Sequence, residues 1–367
     1  MFELEAYSPP AWASSLSLVP NQRVLLAQLP TPIHRWAVPG LPEGVELWIK
    51  RDDLTGCQLS GNKVRKLEFL LAEALQQGYD CVVTVGGIQS NHCRATAVAC
   101  RYLGLECHLV LRNSAALVDA DPGLVGNLLV DRLVGAHIHQ ISKEEYGQYG
   151  GQAVGQKLAD LLTRQGKKPY LIPVGGSSPL GCWGYLEMIR ELEGQIAGQG
   201  FTDVAMKAEQ GGVPLAQAGS RRLTAQGCVL PGRRVHAAGV CDDAAYFYSY
   251  IDGLYDGLGA ARGVVGTDAQ RSFHHLQARG AGYAISKEEE LVTTRDVALA
   301  TGVILDPVYT GKGLHALLQK MRANPAEWAG RKVLFVHTGG LLGLYDKLPQ
   351  LQGVVQPLER CHRLQLD

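Results

Sequence analysis

Residues 60–69 read Ser-Gly-Asn-Lys-Val-Arg-Lys-Leu-Glu-Phe, and the helix that they begin decides how the rest of the chain is interpreted. From Val64 onward, apolar residues recur at three- and four-residue spacing, which predicts an amphipathic helix. Asn62 is a favoured N-cap residue, and Gly78 would end the helix. Lys63 then lies in the first turn, where the helix dipole disfavours a cation and favours the neutral amine that Schiff-base chemistry requires. Taken alone, this stretch fits a solvated surface lysine better.

The composition is that of a globular chain without unusual charge. Its 367 residues are 46% hydrophobic and 19% charged, which suits one large domain or two of ordinary size. The net charge of zero gives no support for a nucleic acid or a membrane surface as partner, so a small molecule is expected. The nine cysteines are scattered without a C-x-x-C pair, which favours free thiols in a reducing compartment over a disulfide framework or a metal site.

The expected location is the cytosol. No apolar run approaches membrane-spanning length. The first residues are acidic and are followed by prolines, unlike a signal peptide or an Arg-rich transit peptide. An organelle is the alternative if an N-terminal targeting segment is missing from the sequence.

Strand and helix patterns alternate along the chain. This alternation predicts parallel α/β sheets with right-handed crossovers. The predicted strands cover residues 45–50, 81–85, 106–112, 136–141, 170–174, 204–206, 234–240 and 332–336. The predicted helices, besides the Lys63 helix, cover residues 90–103, 122–134, 143–165, 183–198 and 246–258. Ligands of such sheets bind beyond the carboxyl ends of the strands, where polar, glycine-rich loops are found at 86–92, 175–178 and 339–340.

Seven stretches between about residues 29 and 346 together carry a family resemblance. They read LWIKRDDLTGCQLSGNKVRKLEFL, TVGGIQSNHCRATAVACRYLGL, DPGLVGNLLVDRLVGAH, IPVGGSSPLGCWGYLE, GVCDDAAYFYSYIDGLYDGLGA, TGVILDPVYTGKG and KVLFVHTGGLLGLYDK. With them the chain resembles the D-cysteine desulfhydrase and 1-aminocyclopropane-1-carboxylate deaminase family of fold-type-II, tryptophan synthase beta-like enzymes. The resemblance implies bound pyridoxal 5'-phosphate, a homodimer, and two three-layer α/β domains with parallel sheets and the cofactor between them. The small domain would cover residues 65–180, and the large one residues 1–64 plus 181–367.

The resemblance also assigns roles around the first two loops. Lys63 would be the lysine that carries the cofactor covalently, with Arg65 and Lys66 as structural neighbours. Asn91 would bond the phenolic oxygen of the cofactor, and Ser90, Asn91 and His92 would meet the substrate, whose carboxylate suits the N–H groups at a helix start. Ser90 has the simpler interpretation of a helix cap, which is the commoner role, and one residue can do both.

Two tyrosines and two threonines are further candidates from the resemblance. Tyr309 and Tyr283 would act in acid–base chemistry or shift the pKa of the lysine. For Tyr283, ordinary packing is nearly as good an interpretation, because its local match is short. Thr310 and Thr338 would face the pyridine nitrogen. The deaminase branch has a glutamate where this chain has Thr310. A hydroxyl would strengthen the electron sink less than a glutamate, which favours β-elimination over opening of a cyclopropane.

Residues 202–233 depart from the family pattern. The family has a strand, a Gly-Ser-Gly-Gly-Thr loop that holds the cofactor phosphate, and a helix. Here Gly211 and Gly212 remain, the hydroxyls are absent, and Glu209 brings a carboxylate close. At ~4 Å and an effective dielectric of ~20, each unit of like charge costs about 4 kcal/mol, unless Glu209 turns away or Lys207 offsets it. Either the gene model contains a reading-frame or splice error, or the chain has lost cofactor binding.

The activity implied by the resemblance is α,β-elimination of D-cysteine to pyruvate, ammonia and hydrogen sulfide, with Lys63 as the expected base. The enantiomer preference comes from the resemblance alone. Two alternatives stay open. One is 1-aminocyclopropane-1-carboxylate deamination, and the other is a catalytically silent paralogue that acts as a binding or assembly partner.

Overall fold

The computed structural model describes residues 2–14, 16–207, 233–259, 273–355 and 363–364. Its strands are β1 (Leu4–Ala6), β2 (Gln22–Val24), β3 (Ile33–Arg35), β4 (Glu46–Arg51), β5 (Cys81–Gly87), β6 (Glu106–Asn113), β7 (His137–Ser142), β8 (Pro169–Ile172), β9 (Asp203–Lys207), β10 (Arg234–Gly239), β11 (His274–Gln277) and β12 (Lys332–His337). Its α-helices are α1 (Lys63–Gln76), α2 (Asn91–Tyr102), α3 (Gly126–Leu133), α4 (Lys143–Arg164), α5 (Pro179–Ile196), α6 (Ala244–Gly257), α7 (Glu288–Thr301), α8 (Thr310–Ala323), α9 (Pro325–Trp328) and α10 (Leu348–Val355).

The strands form two main sheets. A four-stranded sheet has the order β7-β6-β5-β8 and is parallel throughout. A six-stranded sheet has the order β11-β10-β9-β12-β4-β3 and is parallel except at its edge, where β3 runs antiparallel to β4. A separate antiparallel pair joins β1 to β2.

The edge pair β3–β4 of the six-stranded sheet is antiparallel, whereas the rest of both main sheets has the predicted parallel arrangement. Residues 36–45 separate β3 from β4. This connection is shorter than the crossover of about a dozen residues or more that a parallel pair needs. The α/β class itself is confirmed, and each predicted strand and helix is present with its ends shifted by a few residues. The division into domains at residues 65 and 180 stays a prediction.

Helix α1 lies between two hydrophobic cores. Leu67, Leu70 and Leu71 pack with Val82 of the four-stranded sheet. Phe69 packs instead in the core that contains Trp183 and the strands of the six-stranded sheet. The first residue of α1 is thus positioned by both sheets.

Among the described residues, the helices are either too short or too polar to cross a lipid bilayer.

Candidate active site

The start of α1 is set by backbone packing. Asn62 occupies the N-cap position, but its side chain makes no capping hydrogen bond, so the predicted side-chain cap is wrong. Its backbone N–H instead donates to the carbonyl of Thr338 at 3.2 Å. Gly61 has a φ of +102°, and a Cβ there would lie 2.8 Å from that same carbonyl oxygen. The loop after β12 therefore holds the turn that presents Lys63, and only glycine fits at Gly61.

The Lys63 side chain points at a glycine loop and not into open solvent. Its Nζ donates to the carbonyl of Gly175 at 3.2 Å. A Cβ on Gly175 would lie 3.1 Å from that Nζ, and one on Gly176 would lie 3.3 Å from Cε1 of His92. The loops predicted at the strand ends thus meet around Lys63, and the interpretation as a solvated surface lysine does not hold.

Ser90 and Asn91 begin α2. The Ser90 hydroxyl accepts a hydrogen bond from the N–H of Cys93 at 3.2 Å, so its capping role is confirmed. The Oδ1 atom of Asn91 is buried and has no hydrogen-bond partner among the described residues. Buried polar atoms are nearly always paired, so an unpaired amide oxygen here fits a position where a bound molecule would donate a hydrogen bond.

His92 is a buried, neutral imidazole. Burial, together with Lys63 and Lys66, lowers the pKa of His92 well below its ordinary value. The Thr84 hydroxyl donates to the carbonyl of Ile172 at 2.9 Å, so at its 3.0 Å contact with His92 Nε2 it accepts. His92 therefore carries its proton on Nε2. Its buried Nδ1 is an acceptor without a partner in the described part of the chain.

Arg65 and Lys66 anchor the helix that carries Lys63. The buried Arg65 guanidinium donates to both oxygens of Asp52 at 2.9 and 2.8 Å and to Glu191 at 2.9 Å. Burial alone would raise the pKa of Asp52, but Arg65 and Lys50 hold it below its ordinary value. Lys66 Nζ donates to the Ser177 hydroxyl at 2.8 Å. Both residues are structural neighbours, as expected.

The two predicted tyrosines lie together. The hydroxyl oxygens of Tyr283 and Tyr309 are 2.5 Å apart. The Lys207 ammonium lies 3.1 Å from the centroid of the Tyr309 ring. Tyr283 is 46% exposed, so burial in a packed core does not explain its position. The structure brings these two phenols into one hydrogen-bonded pair that can pass a proton.

Sequence reasoning missed Lys312, which holds the loop that carries Tyr283. Its buried ammonium donates to the carbonyls of Arg279, Gly282 and Ile285 at 2.8, 2.9 and 2.6 Å. Glu290 lies 3.6 Å away. A signal existed, because Lys312 belongs to the quoted DPVYTGK stretch and follows Tyr309 by three residues.

The hydroxyls of Thr310 and Thr338 differ in whether a neighbouring side chain already binds them. The Thr310 hydroxyl donates to Oδ1 of Asp306 at 2.6 Å and accepts from the Asp306 N–H at 3.1 Å. Its donor is therefore committed to the turn before α8, which leaves one lone pair for a ligand. Thr338 is buried beside Gly61, and its hydroxyl takes no part in the Asp306 cluster. The role of either threonine toward the ring nitrogen stays a prediction.

The described residues fit pyridoxal phosphate at the end that bears its aldehyde and phenolic oxygen. Lys63 supplies an amine, Asn91 a buried amide whose Oδ1 has no partner among the described residues, and Gly175 a surface that a Cβ would obstruct. Gly211, Gly212 and Glu209, which concern the phosphate, lie outside the described residues. β9 pairs in parallel with β10 and β12, so the strand that the family pattern has before this loop is present.

Comparison with known proteins agrees with this site. A family model described as "Pyridoxal-phosphate dependent enzyme" matches residues 24–339. A protein of Arabidopsis thaliana named bifunctional D-cysteine desulfhydrase/1-aminocyclopropane-1-carboxylate deaminase, mitochondrial, is 53% identical over 353 residues, which are 95% of this chain and 86% of that relative. A D-cysteine desulfhydrase of Yersinia pestis is 34% identical over 317 residues, which are 84% of this chain and 90% of the relative.

Solved structures give the same fold. A structure described as an ACC deaminase homologue has a TM-score of 0.75 and 32% identity, and the match covers 95% of this chain and all 100% of that one. An O-ureido-L-serine synthase has a TM-score of 0.60 at 16% identity, with 86% and 90% of the two chains covered. The second likeness concerns the fold alone.

Proposed function

Because this chain belongs to the family of pyridoxal-phosphate-dependent enzymes, we propose that it is a D-cysteine desulfhydrase, with the reaction D-cysteine plus water to pyruvate, ammonia and hydrogen sulfide. The observation that carries the proposal is the contact of the Lys63 amine with the Gly175 carbonyl at 3.2 Å, together with the buried Oδ1 atom of Asn91, which has no partner among the described residues. The names of the relatives from Arabidopsis thaliana and Yersinia pestis support the substrate.

We propose the following roles for the side chains of the site. Bound pyridoxal phosphate withdraws the electron pair that remains when the α-proton of an amino acid leaves. Lys63 would hold the cofactor, and its Nζ, once the substrate amine has replaced it, would accept the α-proton. Asn91 would donate to the phenolic oxygen of the cofactor through Nδ2, and Thr338 would face the ring nitrogen.

The start of α2 suits the substrate carboxylate. Its first-turn N–H groups and the positive end of the helix dipole favour an anion, and Ser90 lies at this point. His92 adds no charge, because its imidazole is neutral. Its Nδ1 can accept a hydrogen bond from a substrate donor.

The tyrosine pair supplies the remaining proton. A thiolate that leaves the β-carbon needs a proton donor within hydrogen-bond reach. The phenols of Tyr283 and Tyr309, 2.5 Å apart, can donate one proton outward while the other is shared between them. We assign the acid to this pair.

One experiment tests the proposal directly. The purified protein is mixed with pyridoxal phosphate, reduced with borohydride and digested, and the modified lysine is mapped. The expected result is modification of Lys63 together with sulfide release from D-cysteine, and loss of both in Lys63→Met. Lys157→Met is the control, since Lys157 is an exposed lysine on α4, away from this site. Modification of Lys63 without sulfide release would refute the substrate, and no modification at saturating cofactor would favour the silent paralogue.

A second candidate function is 1-aminocyclopropane-1-carboxylate deamination, which the name of the Arabidopsis relative includes. Thr310 argues against it. A hydroxyl whose proton goes to Asp306 at 2.6 Å does not keep a ring nitrogen protonated as a glutamate would. We expect D-cysteine to be turned over faster than the cyclopropane amino acid, and equal rates would contradict this order.

We also propose a cytosolic homodimer without a nucleic-acid partner. The cysteines in the described part of the chain are free thiols, which fits a reducing compartment. The Arabidopsis relative is named as mitochondrial, so an organelle is the alternative. Light scattering of the purified protein tests the dimer, and imaging of the full-length gene product with a C-terminal tag tests the location.

A further inference from the structure

A cluster of imidazoles and one carboxylate lies on the four-stranded sheet, at the opposite end from Lys63. Glu106 and His108 are two residues apart on β6, and His137 and His139 are two residues apart on β7. Residues two apart on a strand share a face, and the register places His108 directly beside His137. All four side chains therefore project from one face, near the amino ends of these strands.

Three ligand atoms of this cluster converge. Oε1 of Glu106 lies 2.8 Å from Nε2 of His108 and 3.3 Å from Nε2 of His137. The ligand atoms of the three residues all lie within 4.8 Å of one another. Tetrahedral ligands at the usual Zn–N and Zn–O distances are about 3.3 Å apart. Binding of one ion would require the Glu106–His108 contact to open by about half an ångström. The stacked rings of His108 and His137, whose centroids are 4.6 Å apart, would also have to turn their Nε2 atoms toward the ion.

His139 can fix the tautomer of His108. Nδ1 of His108 lies 3.2 Å from Nε2 of His139. When an ion takes Nε2 of His108, the proton of His108 moves to Nδ1 and is donated to His139. That hydrogen bond would orient the ring, as outer partners of metal ligands do.

We propose that Glu106, His108 and His137 bind a divalent transition-metal ion such as Zn²⁺, with His139 orienting His108. The fourth position would be open to water, because the His137 side chain is 54% exposed and the Glu106 side chain is 32% exposed. β7 is the edge strand of its sheet, so the ion would fasten this edge to β6. The site is structural and stands apart from the chemistry at Lys63.

Lys167 competes with the ion. Its ammonium pairs with the other carboxylate oxygen of Glu106. The positive charge of Lys167 repels the metal ion, and the ion pair keeps the Glu106 carboxylate directed at Lys167. The Lys167 side chain is 36% exposed, so its loss leaves the core intact. Lys167→Met should therefore strengthen metal binding, an effect that a purely hydrogen-bonded cluster would not show.

The test is a competition titration of Zn²⁺ against a chromophoric chelator, with the cofactor-loaded protein and its exposed thiols alkylated. We expect one ion per chain, at least about tenfold weaker binding in His137→Ala and Glu106→Gln, and tighter binding in Lys167→Met. His34→Ala is the matched control, because His34 is an exposed strand histidine elsewhere in the chain. Zn²⁺ should also raise the melting temperature of the wild type but not that of His137→Ala.

Equal affinities for the wild type and His137→Ala would overturn the proposal, as would an unchanged affinity in Lys167→Met. Sulfide release from D-cysteine should be unaffected in His137→Ala. This assay verifies the fold of the variant and keeps the metal site separate from the proposed function.

Discussion

The amine of Lys63 donates a hydrogen bond to the backbone carbonyl of Gly175, and the two atoms are 3.2 Å apart. The contact joins the first residue of α1 to the loop that follows β8 of the four-stranded sheet. Lys63 thus begins a helix that packs on both cores, and its amine contacts the carbonyl of a residue that has no side chain to push the amine away. The position of the amine depends on the absence of a Cβ at residue 175.

Gly175→Ala should impair cofactor attachment beyond its effect on stability. Gly175 has a φ of +68°, and the new Cβ would lie 3.1 Å from Lys63 Nζ. Gly166→Ala is the matched control, since Gly166 has a φ of +84° and an open surrounding. Both variants should lose about 1–2 kcal/mol of stability through left-handed backbone strain. Only Gly175→Ala should lower the fraction of Lys63 trapped by borohydride, and equal trapping in both would show that this loop does not shape the site.

Ser90→Ala should separate the capping role of Ser90 from its proposed contact with substrate. Loss of a cap costs about 1 kcal/mol, and Ser142, whose hydroxyl accepts from Glu145 N–H at 3.1 Å, offers an equivalent cap on α4. We expect similar losses of unfolding free energy in Ser90→Ala and Ser142→Ala. Only Ser90→Ala should lower kcat/KM for D-cysteine, by about 10–100-fold if a hydrogen bond to a charged group is lost. Unchanged kcat/KM would leave Ser90 as a cap alone.

The parallel strands and their helices could be predicted from the sequence because both are buried. Buried strands appear as short apolar runs, and helices with one buried face appear as apolar residues at three- and four-residue spacing. The three glycine loops were found for the same reason, since the ends of parallel strands meet at one edge of a sheet. The antiparallel edge strand β3 was missed because a strand of three residues, Ile33–Arg35, is too short for a pattern. α7 was missed because its apolar residues do not gather into one clear stripe.

Within the site, the sequence located the amine and the phenols but not what holds them. The failure of Asn62 to cap α1 and the commitment of Thr310 to Asp306 depend on backbone contacts between distant segments. Lys312 was overlooked for the same reason, because its partners are backbone carbonyls about 30 residues away. Every residue type has a backbone carbonyl, so the sequence does not indicate which ones bind a lysine.

Lys312→Met should act on catalysis through Tyr283. The ammonium binds three carbonyls of residues 279–285, so its loss frees the loop that holds Tyr283 against Tyr309. We expect about the same decrease in kcat as for Tyr283→Phe, which removes one of the two phenols, by about tenfold or more. The double variant should show little further decrease, because both changes disable one pair. Lys320→Met, on the same helix, should be neutral.

A second variant, Ser286→Ala, tests the same loop without removing a buried charge. The Ser286 hydroxyl donates to the Pro307 carbonyl at 2.9 Å, which ties the same loop to the turn before Tyr309. Ser286→Ala should lower kcat less than Lys312→Met and in the same direction. Additive effects of Lys312→Met and Tyr283→Phe in a folded double variant would contradict the positioning role of Lys312.

Asp131 should make the stability of the protein depend on pH. Its carboxylate is buried, and both oxygens lack a hydrogen-bond partner among the described residues. Burial, only partly offset by Arg94, raises the pKa of Asp131 from 3.8 to about 7. A raised pKa in the folded state means that the unfolded chain releases this proton first. The contribution of Asp131 to stability is therefore complete below about pH 4 and is lost as the pH rises to about 7.

Asp131→Asn should remove that loss. The shift of about 3 pKa units corresponds to at most about 4 kcal/mol, so the variant should be more stable than the wild type at pH 8 by up to that amount and should gain little near pH 4. Arg94 keeps its hydrogen bonds to the carbonyl of Ser60 and to Asn127, so the substitution does not strand the guanidinium. Denaturant unfolding of both proteins from pH 4 to pH 8 measures the difference, with Asp160→Asn on the exposed side of α4 as control. A difference that stays constant with pH would show that the Asp131 carboxylate is ionised throughout, as it would be if Arg94 stabilised it more strongly than burial disfavours it.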